Sequence, residues 1–363
     1  MSTPIPKPGI LDISPYVGGE SEIKGVERVI KLASNEGALG PSPKAQEAYR
    51  EKAATQHRYP DGSASNIRKA LAAAYGLDAN RIVCGAGSDE LLDMLARAYA
   101  APGDEVMFSQ YGFLMYPIAA MGVGATPVKV AEKNLHADVD ALLERACDKT
   151  KILFLANPNN PTGTYLPDSE IRRLREGLPE HVLLVIDAAY AEYVTRDDYA
   201  SGAQLVDEYD NVVMTRTFSK IFALSGIRLG WAYCPESVAD ILNRLRGPFN
   251  VASPALAAGE AALGDVAFTD EVRAHTAKWF DWTKEQLIGL GLEVPSVVGN
   301  FLLVRFPDSE KHTAKAADDF LKTKGIIVRG MAGYGLADCL RMTIGREDEM
   351  RPLVKAVEEF LSS

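Results

Sequence analysis

Two short runs constrain this chain more than any other feature. In 151-KILFLAN-157 and 182-VLLVID-187 the stretches ILFLA and VLLVI are apolar at every position. A strand sends successive side chains to opposite faces, so an unbroken apolar run needs both faces covered. Parallel sheets flanked by helices meet that need. Further strand-like runs are 81-RIVCG-85, 105-EVMFS-109, 126-TPVKV-130, 211-NVVMTRT-217 and 228-RLGWAYC-234. Helical patterns fall between them, at 42–55, 63–75, 88–100, 111–121, 138–147 and 167–178. Strands alternating with helices predict an α/β unit with a mostly parallel central sheet.

After residue 248 the texture changes. PFNVASPALAAGEAAL reads as a turn and a small-residue helix, followed by a long helix over 268–290. Strands are expected at 300-NFLLVRF-306, 325-GIIVRGM-331 and 339-CLRMTIG-345, with helices at 313–324 and 347–361. The expected organisation is a Pro/Gly-rich arm over 1–35, a large domain over 36–248 and a smaller α+β domain over 249–363, with the arm packed on the smaller one. The length, 363 residues, suits this.

Charge and cysteine usage exclude several classes of protein. The balance of 39 basic and 49 acidic residues gives −10, which argues against nucleic acid or an anionic membrane as partner. The four cysteines lie far apart and form no C-x-x-C, so neither a metal site nor a disulfide framework is expected. They read as buried free thiols of a cytoplasmic protein. The opening MSTPIPKPGILDIS has no apolar core and does not read as a signal peptide. No apolar run approaches the ~20 residues of a membrane span.

Several stretches carry chemistry. In 85-GAGSDELLDMLARAYA-100 two glycines turn the chain, and Ser88 reads as the cap of a helix with Asp89 and Glu90 in its first turn. Such a start favours anions, although an ordinary strand-to-helix turn has the same composition. Glu90 replaces the last glycine of a dinucleotide fingerprint, and there is no G-K-[ST] of a P-loop. The rigid loop in 155-LANPNNPTGTYL-166 follows a buried strand, at the edge where open α/β sheets bind ligands. Asp187 ends an apolar strand, three residues before Tyr190. Lys220 lies in 215-TRTFSKIFALSGIRLGW-231 among hydroxyls and apolar residues. A lysine there either snorkels to water or is desolvated into a neutral, nucleophilic amine. Together these supply an amine, an anion cradle (Ser88, Thr217, Ser219, Arg228), a carboxylate and an Asn-rich loop. They are the parts needed to hold pyridoxal 5′-phosphate (PLP), an aromatic phosphorylated aldehyde.

At this point the whole chain resembles the fold-type I PLP-dependent aminotransferases, and among them the histidinol-phosphate branch. KLASNE, RYPDG, GAGSDE, SQYGFLMY, NPNNPTGT, DAAY, TFSKIFALSGIRLGW, GIIVRGM and CLRMTIG occur in the family's order. The resemblance implies the PLP-dependent transferase fold, PLP as cofactor and a homodimer with shared active sites. It makes Lys220 the Schiff-base lysine and proton shuttle, and Asp187 the partner of the pyridinium nitrogen. Asn160 and Tyr190 would bond the ring oxygen, and Tyr111 would stack on the ring. Gly87, Ser88, Asp89, Thr217, Ser219 and Arg228 would hold the phosphate, with Tyr59 reaching in from the partner subunit. Arg341 and Arg329, with Tyr16 and Asn35 from the arm, would meet the substrate.

The implied reaction moves an amino group between L-histidinol phosphate and 2-oxoglutarate, in histidine biosynthesis. Aromatic amino acid transamination and decarboxylation of a phosphorylated amino acid are the alternatives. The chain departs from the family pattern at 16-YVGGE-20 and 187-DAAY-190, both near the substrate or cofactor.

Overall fold

The computed structural model describes residues 4–7, 9–15, 18–26, 28–307 and 309–363. Its central sheet contains β1 (Ile82–Gly85), β2 (Glu105–Ser109), β3 (Thr126–Val130), β4 (Thr150–Ala156), β5 (Leu183–Asp187), β6 (Val212–Thr217) and β7 (Gly230–Tyr233). The order across the sheet is β1-β7-β6-β5-β4-β2-β3. Strand β7 runs antiparallel to both neighbours, and every other pair is parallel.

The apolar runs divide between two cores as the strand period requires. Leu153, Leu155, Leu184 and Ile186 enter one core, and Ile152, Phe154, Leu183 and Val185 enter the other. Fully burying each such side chain stabilises the fold by about 1.5–3 kcal/mol. The exception in direction, β7, follows from its connection. The 218–229 link holds one 3-10 turn, Ser225–Ile227, and no crossover helix, so the chain returns antiparallel. That return sets the start of β7 between the ends of β1 and β6, with Gly230 in register with both Gly85 and Thr217.

A second body is built on three antiparallel strands, β8 (Phe301–Arg305), β9 (Arg329–Gly330) and β10 (Cys339–Thr343), in the order β8-β10-β9. Leu302, Val304, Leu340 and Met342 pack on the helices Ala314–Thr323 and Glu347–Leu361. The intervening residues, Leu303, Arg341 and Thr343, face the other way. The segment before residue 36 is tied to this body. Ile30–Lys31 pairs with Ile326–Ile327, and Leu32 is buried in the same core.

Four details differ from the sequence reading. The run 325–331 is not one strand: Ile326–Ile327 pairs with Ile30–Lys31, and only Arg329–Gly330 joins the three-stranded sheet. The helix expected from residue 111 begins at Met115. The helix Glu236–Leu245, buried through Val238, Ala239 and Leu242, was not anticipated. Finally, the small-residue helix beyond 248, Ser253–Leu263, packs in the core of the central sheet. A side-chain carbon on Gly259 would lie 2.4 Å from Leu229, so its composition serves close approach. The helix Val266–Gly289 then passes from that core, at Val272, to the second, at Trp279, Phe280 and Leu287.

Candidate active site

The carboxyl ends of the parallel strands and the face of β10 that carries Arg341 enclose a cleft of about 210 Å³. Lys220, Asp187, Tyr190, Asn160, Ser88, Asp89, Thr217, Ser219, Arg228, Arg329, Arg341 and Asn35 all line it.

One corner is built to receive an anion. Gly87, at φ +87°, is the N-cap of the helix Ser88–Tyr99, and no side chain caps that helix. Ser88 is therefore its first residue and not its cap, contrary to expectation. Glu90 instead accepts the Ala86 N–H at 2.6 Å and the Asn250 amide at 2.8 Å, which ties the turn to the loop after residue 247. The positive end of the helix is left open beside Thr217, Ser219 and Arg228.

The absence of side chains at two glycines makes this possible. A Cβ on Gly87 would stand 2.4 Å from Arg228 Nη2, and one on Gly230 would stand 2.3 Å from the Ser88 nitrogen. Gly87 thus gives the guanidinium room against the backbone and does not itself line the cleft. Arg228 Nη1 donates to the Ser225 carbonyl at 2.9 Å, and Nη2 donates to Asp89 at 3.1 Å. Thr217 Oγ1 donates to Ser219 Oγ at 2.9 Å. Arg228 holds φ +54°, a left-handed backbone that costs a non-glycine residue about 1–3 kcal/mol. Strain of that kind persists where surrounding contacts over-determine it.

Asp187, 6% exposed, ends β5. Tyr116 donates its hydroxyl to Asp187 Oδ2 at 2.8 Å, and Thr215 Oγ1 lies 3.4 Å from Oδ1. Burial pushes the carboxyl up from 3.8 to about 6, against the pull of those hydroxyls. Lys220, half-buried, follows β6, with Nζ 5.6 Å from the centre of the Tyr190 ring.

The second body supplies cations. Arg329 and Arg341 are paired residues on β9 and β10, so their side chains leave the same face of the sheet. Arg341, 7% exposed, donates to Asn160 Oδ1 at 2.6 Å and to the Ala33 carbonyl at 2.8 Å. Asn160 sits in a loop pinned from the same side. The Gly163 carbonyl accepts the Val297 N–H at 2.8 Å, and Ser296 Oγ donates to the Thr162 carbonyl at 2.8 Å.

One expectation is not met, that of Tyr111. Tyr111 does not line the cleft; it packs with Leu135, Leu303, Met331 and Tyr334, and its N–H goes to Glu132 at 3.0 Å. Phe113 lines the cleft instead, and Tyr334 adds a second ring to the lining. Tyr59 lies on the surface, 82% exposed, stacked on Phe249 at 4.5 Å between centroids. Tyr16 lies outside the described residues. Sequence reasoning also missed Tyr116, although YGFLMY holds it in the same motif as Phe113.

The sequence pattern of the family described as Aminotransferase class I and II matches residues 27–357. The chain belongs to that family. As an aminotransferase of this class it is 61% identical over 363 residues to the histidinol-phosphate aminotransferase of Paramagnetospirillum magneticum, covering all of both chains. It is 58% identical to the protein of that name from Rhodospirillum rubrum, over 99% of this chain and 97% of the relative. Among solved structures, the histidinol-phosphate aminotransferase of Sinorhizobium meliloti, in complex with pyridoxal-5′-phosphate, superposes with a TM-score of 0.90. That match has 27% identity and covers 99% of each chain. The Thermus thermophilus aspartate aminotransferase with maleate shares the fold, with a TM-score of 0.82 at 22% identity over 92% of this chain and 91% of that one.

Proposed function

We propose that this protein transfers an amino group between L-histidinol phosphate and 2-oxoglutarate, using PLP, in histidine biosynthesis. The observation that carries the reading is the register pair Arg329–Arg341 in the same cleft as Lys220. Histidinol phosphate has a phosphate dianion and glutamate has two carboxylates. Each brings an anionic group to guanidinium groups, which bind such groups by forked, charge-assisted hydrogen bonds. The full-length identity with two proteins named for this activity supports the same choice.

The residues present fit the cofactor. The uncapped helix start with Arg228 beside Gly87 makes a phosphate cradle. The buried Asp187 carboxylate has two hydroxyls as side-chain partners and no cation among them, which suits a protonated ring nitrogen. When bound, PLP supplies an aldehyde carbon for the amino group and a ring that spreads the electrons released at the substrate α-carbon. Lys220 Nζ is the amine that would hold the aldehyde and move the α-proton. Asp187 holds a proton on the ring nitrogen. Asn160 and Tyr190 would bond the ring oxygen; Arg341 already fixes the Asn160 amide, with Oδ1 toward the guanidinium and Nδ2 free to donate. Phe113 would pack on the ring. Arg341 binds the α-carboxylate of glutamate, and Arg329 the distal anion.

The exposed Tyr59–Phe249 pair supports a homodimer in which Tyr59 enters the partner's cleft, since stacked surface aromatics are characteristic of protein contacts. A cytoplasmic location rests on the free thiols Cys84, Cys234 and Cys339, all buried and suited to a reducing compartment. Among the described residues no helix is long and apolar enough to cross a membrane.

Steady-state assays with 2-oxoglutarate test the reading. Histidinol phosphate should be the preferred donor, and borohydride should fix the cofactor on Lys220. Consumption of phenylalanine but not histidinol phosphate would move the assignment to aromatic amino acids. Carbon dioxide release from O-phosphothreonine would replace it with decarboxylation.

A further inference from the structure

A chain of buried hydrogen bonds reaches the cleft from the second body. Thr343 ends β10 two residues beyond Arg341 and is 3% exposed. It is not among the residues that line the cleft. Its hydroxyl accepts the Asn35 backbone N–H at 2.9 Å and donates to Asn35 Oδ1 at 3.2 Å. Asn35 Nδ2 in turn donates to the Tyr190 hydroxyl oxygen at 2.8 Å. Asn35 is 1% exposed and holds φ +54°, and its carbonyl accepts the Asn300 amide at 3.0 Å.

The directions of these bonds matter more than their number. A side-chain amide has one accepting end and one donating end. Thr343 occupies the accepting end, so the NH₂ end faces Tyr190. The Tyr190 oxygen then accepts, and its own proton is left to point elsewhere. Tyr190 lines the cleft, and that proton is free to be donated into it. If Asn35 were turned over, its oxygen would draw the Tyr190 proton away from the cleft.

We propose that Thr343 is a positioning residue for Tyr190. It fixes the Asn35 amide so that the Tyr190 O–H donates into the cleft, toward the ring oxygen of the bound cofactor. The proposal rests on the functional reading above. It assigns to Asn35 a role through Tyr190, whereas the family resemblance gave it contact with substrate. It also links arm, central sheet and second body in one polarised chain, so that seating of the arm controls the donor.

The test uses the cofactor-loaded full chain and reads the pH midpoint of its visible absorbance. A hydrogen bond to the charged ring oxygen lowers that midpoint, and its loss raises it. Lys220, Asp187 and Arg341 face the same space and are unchanged in every variant used. Thr343→Val should raise the midpoint by roughly 0.5–1 unit, the worth of one hydrogen bond. It should also lower kcat about three- to tenfold with little change in the donor KM. Thr343→Ser, which keeps the hydroxyl, should restore both. Asn35→Asp provides a second route, because a carboxylate accepts from Thr343 and Tyr190 alike. It should raise the midpoint with the shape preserved.

In a Tyr190→Phe background Thr343→Val should add nothing further. An unmoved midpoint in Thr343→Val or Asn35→Asp overturns the proposal, as does a rise that persists without the Tyr190 hydroxyl. A parent enzyme with no titrating visible band and no borohydride adduct at Lys220 would instead remove the functional reading, and this proposal with it.

Discussion

Asp187→Asn should make the cofactor-free protein more stable at neutral pH while weakening its hold on the cofactor. Burial raises the native carboxyl from 3.8 to about 6. Between those values the unfolded chain has lost its proton and the native chain keeps it. The native state binds more protons there, so stability falls as pH rises from about 4, and the full cost is present above pH 6. Two pKa units correspond to about 3 kcal/mol, of which about 1.5 kcal/mol is incurred between pH 5 and 8.

Asparagine carries no charge at either pH and can still accept the Tyr116 hydroxyl through its side-chain oxygen. Urea unfolding of the cofactor-stripped proteins at pH 5, 6.5 and 8 measures the difference. The asparagine variant should gain on the parent by about 1.5 kcal/mol across that range and be the more stable of the two at pH 8. Adding cofactor should reverse the order, because the parent regains a cation partner and the variant does not. A stability difference that is flat with pH, or a variant less stable than the parent at pH 8, would refute the account of Asp187 as a carboxylate kept desolvated for a ring cation.

The remaining expectations concern the walls of the cleft. Phe113→Ala should weaken cofactor binding roughly tenfold through lost ring contact, whereas Tyr111→Phe should leave it unchanged; fluorescence titration of the stripped protein distinguishes them. Gly163→Ala would set a Cβ 2.6 Å from Ser296 at φ +69°. It should cost about 1–3 kcal/mol in urea unfolding and raise KM for both substrates, since the Asn160 loop is pinned there. Arg341→Lys loses the forked geometry and should raise the glutamate KM about 10- to 100-fold in steady-state assays.

Periodicity and motif spacing determined much of this protein on their own. The apolar runs of β4 and β5 required a sheet covered on both faces, and the structure divides their residues between two cores. Lys220, Asp187, Asn160 and the 85–89 turn were legible as cleft residues because each ends or follows a strand, at the sheet edge where open α/β sheets bind ligands. Pattern failed where partners are far apart in sequence. The split of 325–331 depends on Ile30–Lys31, almost 300 residues earlier, taking one half of it. The small-residue helix after 248 looks like the start of something new, yet its alanines and Gly259 are shaped by close packing on the central body.

The exchange of Tyr111 for Phe113 has the same origin. Two positions in one motif differ in which of them points into the cleft, and only the path of the backbone from Ser109 to Met115 selects one. Sequence thus supplied the polar and charged groups that line the cleft, because their chemistry is carried by residue type. The tertiary structure alone decided how their protons are directed. It brought Thr343 to Asn35, Tyr116 to Asp187 and Arg341 to Asn160 across 308, 71 and 181 residues, and hydrogen-bond direction depends on such placement.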